Sequence, residues 1–207
     1  MASGKVDVGG WITEAWELYK ANFALLCVAT LVAALLGGLT CGVLAGPLWA
    51  GLTLIILRVS RKQEPVPQIG DVFKGFDFFL QALILGVVVA LAYAVASSLP
   101  VVGPVAGILI SPLVMFAMAL LVDRKMDFWP ALMASFEKAK TEYVSLLVVC
   151  LLGHLISMAG ALLCGVGVIL TAPFSAIVSV VAYRHLFEGP EAEAVPVVEA
   201  AMAPTQA

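Results

Sequence analysis

Charged residues are scarce in this sequence. Lys and Arg number 11 and Asp and Glu 14 in 207 residues, 12% of the chain, while 62% is hydrophobic. A soluble domain carries about 25% charged residues. The shortage is also uneven. No Asp, Glu, Lys or Arg occurs in 21–57, 78–122 or 143–183, runs of 37, 45 and 41 residues. Such runs exclude a soluble protein with a large core, because too few polar groups remain to cover it. A membrane-spanning helix needs about 20 apolar residues. Each run is too long for one span and suits two. The chain therefore reads as an all-α integral membrane protein with six transmembrane helices.

The same absence limits the chemistry. Ionisable residues inside spans are the usual marks of proton relays and ion paths. None of the four charged types stands away from the span ends. This argues against a proton-coupled transporter and against an intramembrane protease built on acidic or metal-binding residues. No catalytic, metal or cofactor site is expected, and no nucleic-acid partner. The start, W-I-T-E-A-W-E-L-Y-K, lacks the basic head and cleavage site of a signal peptide. Residue 2 is Ala and the last residues are P-T-Q-A, so no lipid anchor is expected either.

The basic residues set the orientation. All 11 lie in 5–20, 58–74, 124–140 or at Arg184. These segments fall on one side of the membrane, and the three opposite turns carry none. Lys and Arg near span ends mark the cytoplasmic face. Both termini are thus expected in the cytoplasm of a bacterial cell, with the chain in the plasma (inner) membrane.

Gly and Pro mark the turns within each run: G-G-L-T-C-G-V-L-A-G (37–46), S-S-L-P-V-V-G-P (97–104) and G-A-L-L-C-G-V-G (160–167). The expected hairpins are 22–39 with 43–60, 79–98 with 103–122, and 143–161 with 166–186. The first is tight, leaving about 16–18 residues per span against a lower limit of about 17. A shallow, re-entrant hairpin is the alternative there. An amphipathic stretch precedes each hairpin. Trp11, Ala15, Tyr19 and Phe23 recur every four residues; Phe73 and Phe76 share a face; Trp129, Leu132, Phe136 and Ala139 follow helical spacing. Helices of this kind lie in the headgroup plane with their aromatics inward.

The units resemble one another, with repeats over 9–62, 69–125 and 127–187. Each holds an amphipathic helix, a span, a Gly/Pro turn, a small residue before proline, a second span and then Arg. The prolines Pro47, Pro112 and Pro173 are spaced 65 and 61 apart, and arginines follow at +11, +12 and +11. Fixed-period similarity signals internal duplication. Three parallel hairpins do not make the inverted repeat of many secondary transporters. The domain is taken as 1–187, with 188–207 a disordered cytoplasmic tail. A proline can start a helix, where its missing N–H is no loss. However, eleven residues rise only about 16 Å, half of an apolar core of about 30 Å. That length favours three mid-depth kinks at Pro47, Pro112 and Pro173.

His154 is the one histidine well inside a span, about eleven residues into the fifth. Ser157 shares its face, and Ser111, Thr171, Ser175 and Ser179 are candidate partners. Two readings stand: a cavity lined by His154, Ser157 and Ser175, or a neutral hydrogen bond between helices. A metal would need further ligands. There are four cysteines and no C-x-x-C pair. Cys27 and Cys150 fall within spans as packing residues. Cys41 and Cys164 occupy matching outer turns, each before Gly-Val. A bridge between them and two free thiols are both open, and a linked peptide in non-reduced protein decides. Small residues recur at four-residue spacing, as in Gly38, Gly42 and Gly46, which lets helices approach closely. They serve packing first and a homo-oligomer, or contact with another membrane protein, second.

The stretch G-D-V-F-K-G-F-D-F-F (70–79), shortly after G-P-L…R-V-S-R (46–61), resembles a group of uncharacterised bacterial multi-pass membrane proteins. It includes the YciC-like family and the membrane domains of some glycerophosphodiester phosphodiesterases. The resemblance implies a helical inner-membrane domain with cytoplasmic termini, and it brings no catalytic residues. The leading expectation is a non-enzymatic membrane protein acting in envelope organisation, lipid contact or partner binding, with membrane lipids as its partners. The alternative is a transporter of a small solute or lipid through a cavity near His154.

Overall fold

The computed structural model describes residues 7–40, 42–98, 103–161 and 166–188. The regular elements among them are all helical: α1 (Val8–Ala21), α2 (Phe23–Leu39), α3 (Ala45–Ser60), a 3₁₀ segment (Ile69–Phe78), α4 (Phe79–Ser97), α5 (Gly103–Val114), α6 (Ala117–Asp123), α7 (Phe128–Thr141), α8 (Tyr143–Ala161) and α9 (Val166–Phe187). Three stretches are long and apolar enough to cross a membrane: Ile69–Ser97, Val105–Asp123 and Leu170–Phe187. Counting two bent pairs as one span each raises the number to five. α3 is apolar but has only 16 residues, a rise of about 24 Å. On α4, Leu80, Val87, Leu91 and Val95 are exposed on one face. Unpaired apolar faces of this kind suit contact with lipid tails.

Two of the amphipathic helices turn sharply away from the helix that follows. The angle is 88° between α1 and α2, and 105° between α7 and α8. Asn22 makes the first corner, donating its amide to the Leu18 carbonyl at 3.1 Å. The middle copy departs from the expected interfacial helix. It is a 3₁₀ segment that runs on into α4 as one continuous stretch, Ile69–Ser97. The reason lies in glycine. The segment lies against α3, where a Cβ on Gly75 would overlap the Pro47 carbonyl and the Gly51 nitrogen. A Cβ on Gly51 would overlap the Val72 carbonyl. The narrower coil of a 3₁₀ helix, with its longer rise, lets the two backbones touch. The contact continues into α4, where a Cβ on Gly46 would lie 2.5 Å from the Ala82 carbonyl.

The amphipathic elements thus dock on other units: α1 on α9, the 3₁₀ segment on α3, and α7 on α5 and α6. The hydrogen bonds of two of these joints match. Tyr19 donates its hydroxyl to the Leu170 carbonyl at 2.8 Å and Tyr143 to Leu109 at 2.9 Å. Each acceptor stands three residues before a proline, Pro173 or Pro112. Ion pairs close two joints at the end that carries the basic residues: Arg58–Asp71 at 3.0 Å and Arg184–Glu14 at 3.1 Å.

The three prolines do different things. Pro112 lies inside α5, and Ser111 donates to the Ile108 carbonyl at 2.8 Å. That carbonyl is the one a proline at 112 leaves without its helical donor. The helix then stops at Val114 and resumes at Ala117. Ser135 of α7, fully buried, fills the gap. It accepts from the Phe116 N–H at 3.2 Å and donates to the Leu113 carbonyl at 2.8 Å. Pro173 lies inside α9. Pro47 does not kink a longer helix. It is the third residue of α3, whose first residue is Ala45, so its missing N–H falls among those that have no helical partner anyway. Pro47 stands at a helix start, rather than at mid-depth, because α3 has only 16 residues. Ser135→Ala is expected to lower stability by about 1–3 kcal/mol, since two backbone groups lose their partner. Ser135→Thr should lose less, and thermal unfolding in mild detergent compares them.

α3 and α6 end alike. Arg61 and Arg124 are the C-caps, and Lys62 and Lys125 follow at φ 51° and 52° in the left-handed region. That is a common way to stop a helix. The caps align Arg61, rather than Arg58, with Arg124. Cys41 and Cys164 lie outside the described residues. Cys27 and Cys150 are free thiols, half-buried.

Candidate functional site: a cavity among five helices

α3, α4, α5, α8 and α9 touch in sequence, and α9 touches α3 again. This ring, with α6 and Ile12 of α1, lines a cavity of about 680 Å³. Ligand pockets typically measure about 300–1,000 Å³. Small residues open the space. Gly46 and Gly86 let α3 and α4 approach at one wall, and Gly153 lies 3.7 Å, by its absent Cβ, from the Ser175 side chain at another. The rest of the wall is largely apolar, including Leu85, Val89, Val114, Met115, Met118 and Val149.

The polar wall groups are Thr53, Tyr93, Ser111, Cys150, His154, Ser175 and Ser179, with the indole N–H of Trp49. His154 and Ser175, expected to line one cavity, do share it. Ser157 belongs to α8, but its side chain lies outside what the structure describes. Among the described residues His154 makes no hydrogen bond to another helix. Its Nδ1 meets the Cys150 carbonyl of its own helix at 2.7 Å. The hydroxyls behave the same way. Thr53 donates to Trp49 at 2.9 Å, Ser175 to Ala172 at 2.8 Å and Ser179 to Ser175 at 3.0 Å. Serine and threonine in helices commonly bond back to their own preceding turn. Trp49 and His154 are exposed as well as cavity-lining, so the space opens beside them.

The other end of the cavity is closed. Ala119 and Val180 line it, and one turn beyond them lie Asp123 and Tyr183. Arg61 grips Asp123 with both terminal guanidinium nitrogens, Nη1 and Nη2, at 2.6 and 2.7 Å. Tyr183, fully buried, donates to the same carboxylate at 2.8 Å. Arg61 also pairs with Glu188, and the Asp123 contact above all holds its guanidinium above the ordinary value. Phe116, Tyr183 and Phe187 pack ring on ring beneath the cavity, with Arg124 over Phe187 at 5.6 Å. Beside this plug Glu14 receives Arg184 and His185. The ends of α3, α6 and α9 are thereby tied together.

Sequence reasoning missed this plug, treating the basic residues there as topology anchors. A signal was present. Arg61, Asp123 and Tyr183 are spaced 62 and 60 apart, nearly the spacing of the three prolines. The missed wall residues Thr53 and Tyr93 gave no such signal. Among the described residues no group of three or more His, Cys, Asp or Glu is placed to hold a metal ion. No family model, curated protein or solved structure matches the chain.

Proposed function

We propose that this chain is a non-enzymatic inner-membrane protein that binds a membrane lipid in the cavity among α3, α4, α5, α8 and α9. The observation that carries the reading is the cavity itself: large, largely apolar and set among helices that face lipid. A void lined by apolar groups gains nothing from water, whereas an acyl chain fills it with favourable contacts. We read α2–α3, α4–α5/α6 and α8–α9 as three tandem hairpins, six spans in all, with both termini cytoplasmic. The cyclic docking of α1, the 3₁₀ segment and α7 supports the threefold repeat. The confinement of Lys and Arg to one side supports the orientation.

Protein purified in mild detergent is expected to retain a lipid that mass spectrometry identifies. Val89→Trp, which fills the cavity from α4, should lose it while eluting as the native protein does. Equal retention by both would overturn the reading. Translocation is the second reading, favoured by one observation: the cavity opens at His154 and is shut at the other end by separable ion pairs. Reconstituted protein that moves labelled lipid between leaflets, and stops doing so on Val89→Trp, would establish it.

A further inference from the structure

We infer that the occupant is an uncharged membrane lipid with a free hydroxyl head, which donates hydrogen bonds to the cavity wall. The inference rests on the lipid-binding reading above and names the head group that the wall selects. No Asp, Glu, Lys or Arg lines the cavity. A charged head would therefore be buried without a counter-ion, at a heavy cost. Phosphate and carboxylate heads are disfavoured on that ground.

Five of the uncharged polar groups share a bias. Thr53, Ser111, Ser175 and Ser179 all direct their hydroxyl protons to carbonyls of their own helices. A hydroxyl has one proton and two lone pairs. With the proton engaged, only acceptor capacity is left to offer. His154 follows the same rule. A carbonyl oxygen accepts, so the 2.7 Å contact to Cys150 places the proton on Nδ1. The neutral ring then presents Nε2 as a lone pair, and Nε2 has no partner among the described residues. Five wall groups thus offer acceptors. Tyr93 is the one wall hydroxyl whose proton is not engaged by a described partner. An ester or an ether can accept only from Tyr93 or the Trp49 indole N–H and leaves the five acceptors unmet, and a bare hydrocarbon meets no polar group. A hydroxyl can donate to them, and the apolar remainder of the cavity takes its chain.

The test uses the full chain, stripped of lipid in detergent, and three probes with the same alkyl chain: hexadecanol, hexadecyl methyl ether and hexadecanoate. Binding is read by mass spectrometry of the intact complex at matched probe concentrations. Hexadecanol is expected to bind about fivefold more tightly than the ether, the worth of one hydrogen bond, and hexadecanoate weakest. His154→Phe combined with Ser175→Ala should bring the alcohol down toward the ether and leave the ether unchanged. Both sites are only part-buried or exposed, and native elution checks the fold. Equal binding of alcohol and ether, or tightest binding of hexadecanoate, overturns the hydroxyl inference while leaving a lipid cavity standing. Binding of none of the three overturns the lipid reading and the inference with it.

Discussion

Gly75→Ala is expected to destabilise the native fold strongly, with Gly51→Ala close behind. At both positions the new Cβ meets backbone: the Pro47 carbonyl and Gly51 nitrogen for Gly75, the Val72 carbonyl for Gly51. A side chain can rotate away from a clash, but a carbonyl held in a helical ladder cannot. Relief requires α3 and the 3₁₀ segment to separate. That would strip the burial of Val72 and Gly75 and strain the Arg58–Asp71 pair at the end of the same joint. Overpacking a core costs about 1–3 kcal/mol, occasionally more, and backbone against backbone belongs at the upper end. With about 2–4 °C lost per kcal/mol for a chain of this size, the unfolding midpoint should fall by roughly 6–12 °C where folded protein survives. Gly38→Ala and Gly70→Ala are the controls, because nothing lies within 4 Å of either added Cβ. Gly38 sits within α2, where Ala is a better helix former, so that variant should be as stable as the parent or more so. A Gly75→Ala protein that unfolds at the parent temperature would refute the backbone contact.

The sequence made the helix ends legible because charge and glycine punctuate them. The expected 79–98 and 143–161 are α4 and α8 nearly to the residue, and 43–60 differs from α3 by two residues at its start. What a sequence hides is what depends on neighbours in space. The run D-V-F-K-G-F-D-F-F has helical spacing, yet Gly75 takes a 3₁₀ path because α3 presents Gly51 to it. Pro47 and Pro112 look equivalent in sequence. One starts a helix and the other lies inside one, because the turn before Pro47 leaves α3 short. His154 was legible as unusual, and the cavity beside it was not. A void is made by several helices whose mutual distances no periodicity records. Ser111, Ser175 and Ser179 on its wall were visible only as candidate partners for His154. In the structure each satisfies itself locally, which is what leaves acceptors facing inward.

Asp123→Ala should be the most damaging single change among the charged residues. It removes the acceptor for Arg61 and for the fully buried Tyr183 at once. Breaking a buried pair by deleting one partner costs about 3–5 kcal/mol. Arg61 and Asp123 keep 25% and 17% side-chain exposure, so solvent screening lowers the expected loss to about 2–3 kcal/mol. Tyr183→Phe removes one of the three bonds and should cost about 1 kcal/mol. The double variant Arg61→Met with Asp123→Leu is the informative one. Replacing both members of such a pair with apolar groups is often nearly neutral, so it should unfold well above Asp123→Ala. Stability alone does not distinguish a brace from a gate, and Cys150 does. Its thiol lines the cavity on the far side of the plug. If Arg61, Asp123 and Tyr183 close the cavity at the basic end, Asp123→Ala should speed modification of Cys150 by an impermeant maleimide supplied from that end, with labelled sites assigned by peptide mapping. The double variant, apolar but still packed, should stay slow. Equal rates in parent and Asp123→Ala would leave the three residues a structural tie between α3, α6 and α9, and would remove the observation on which translocation rests.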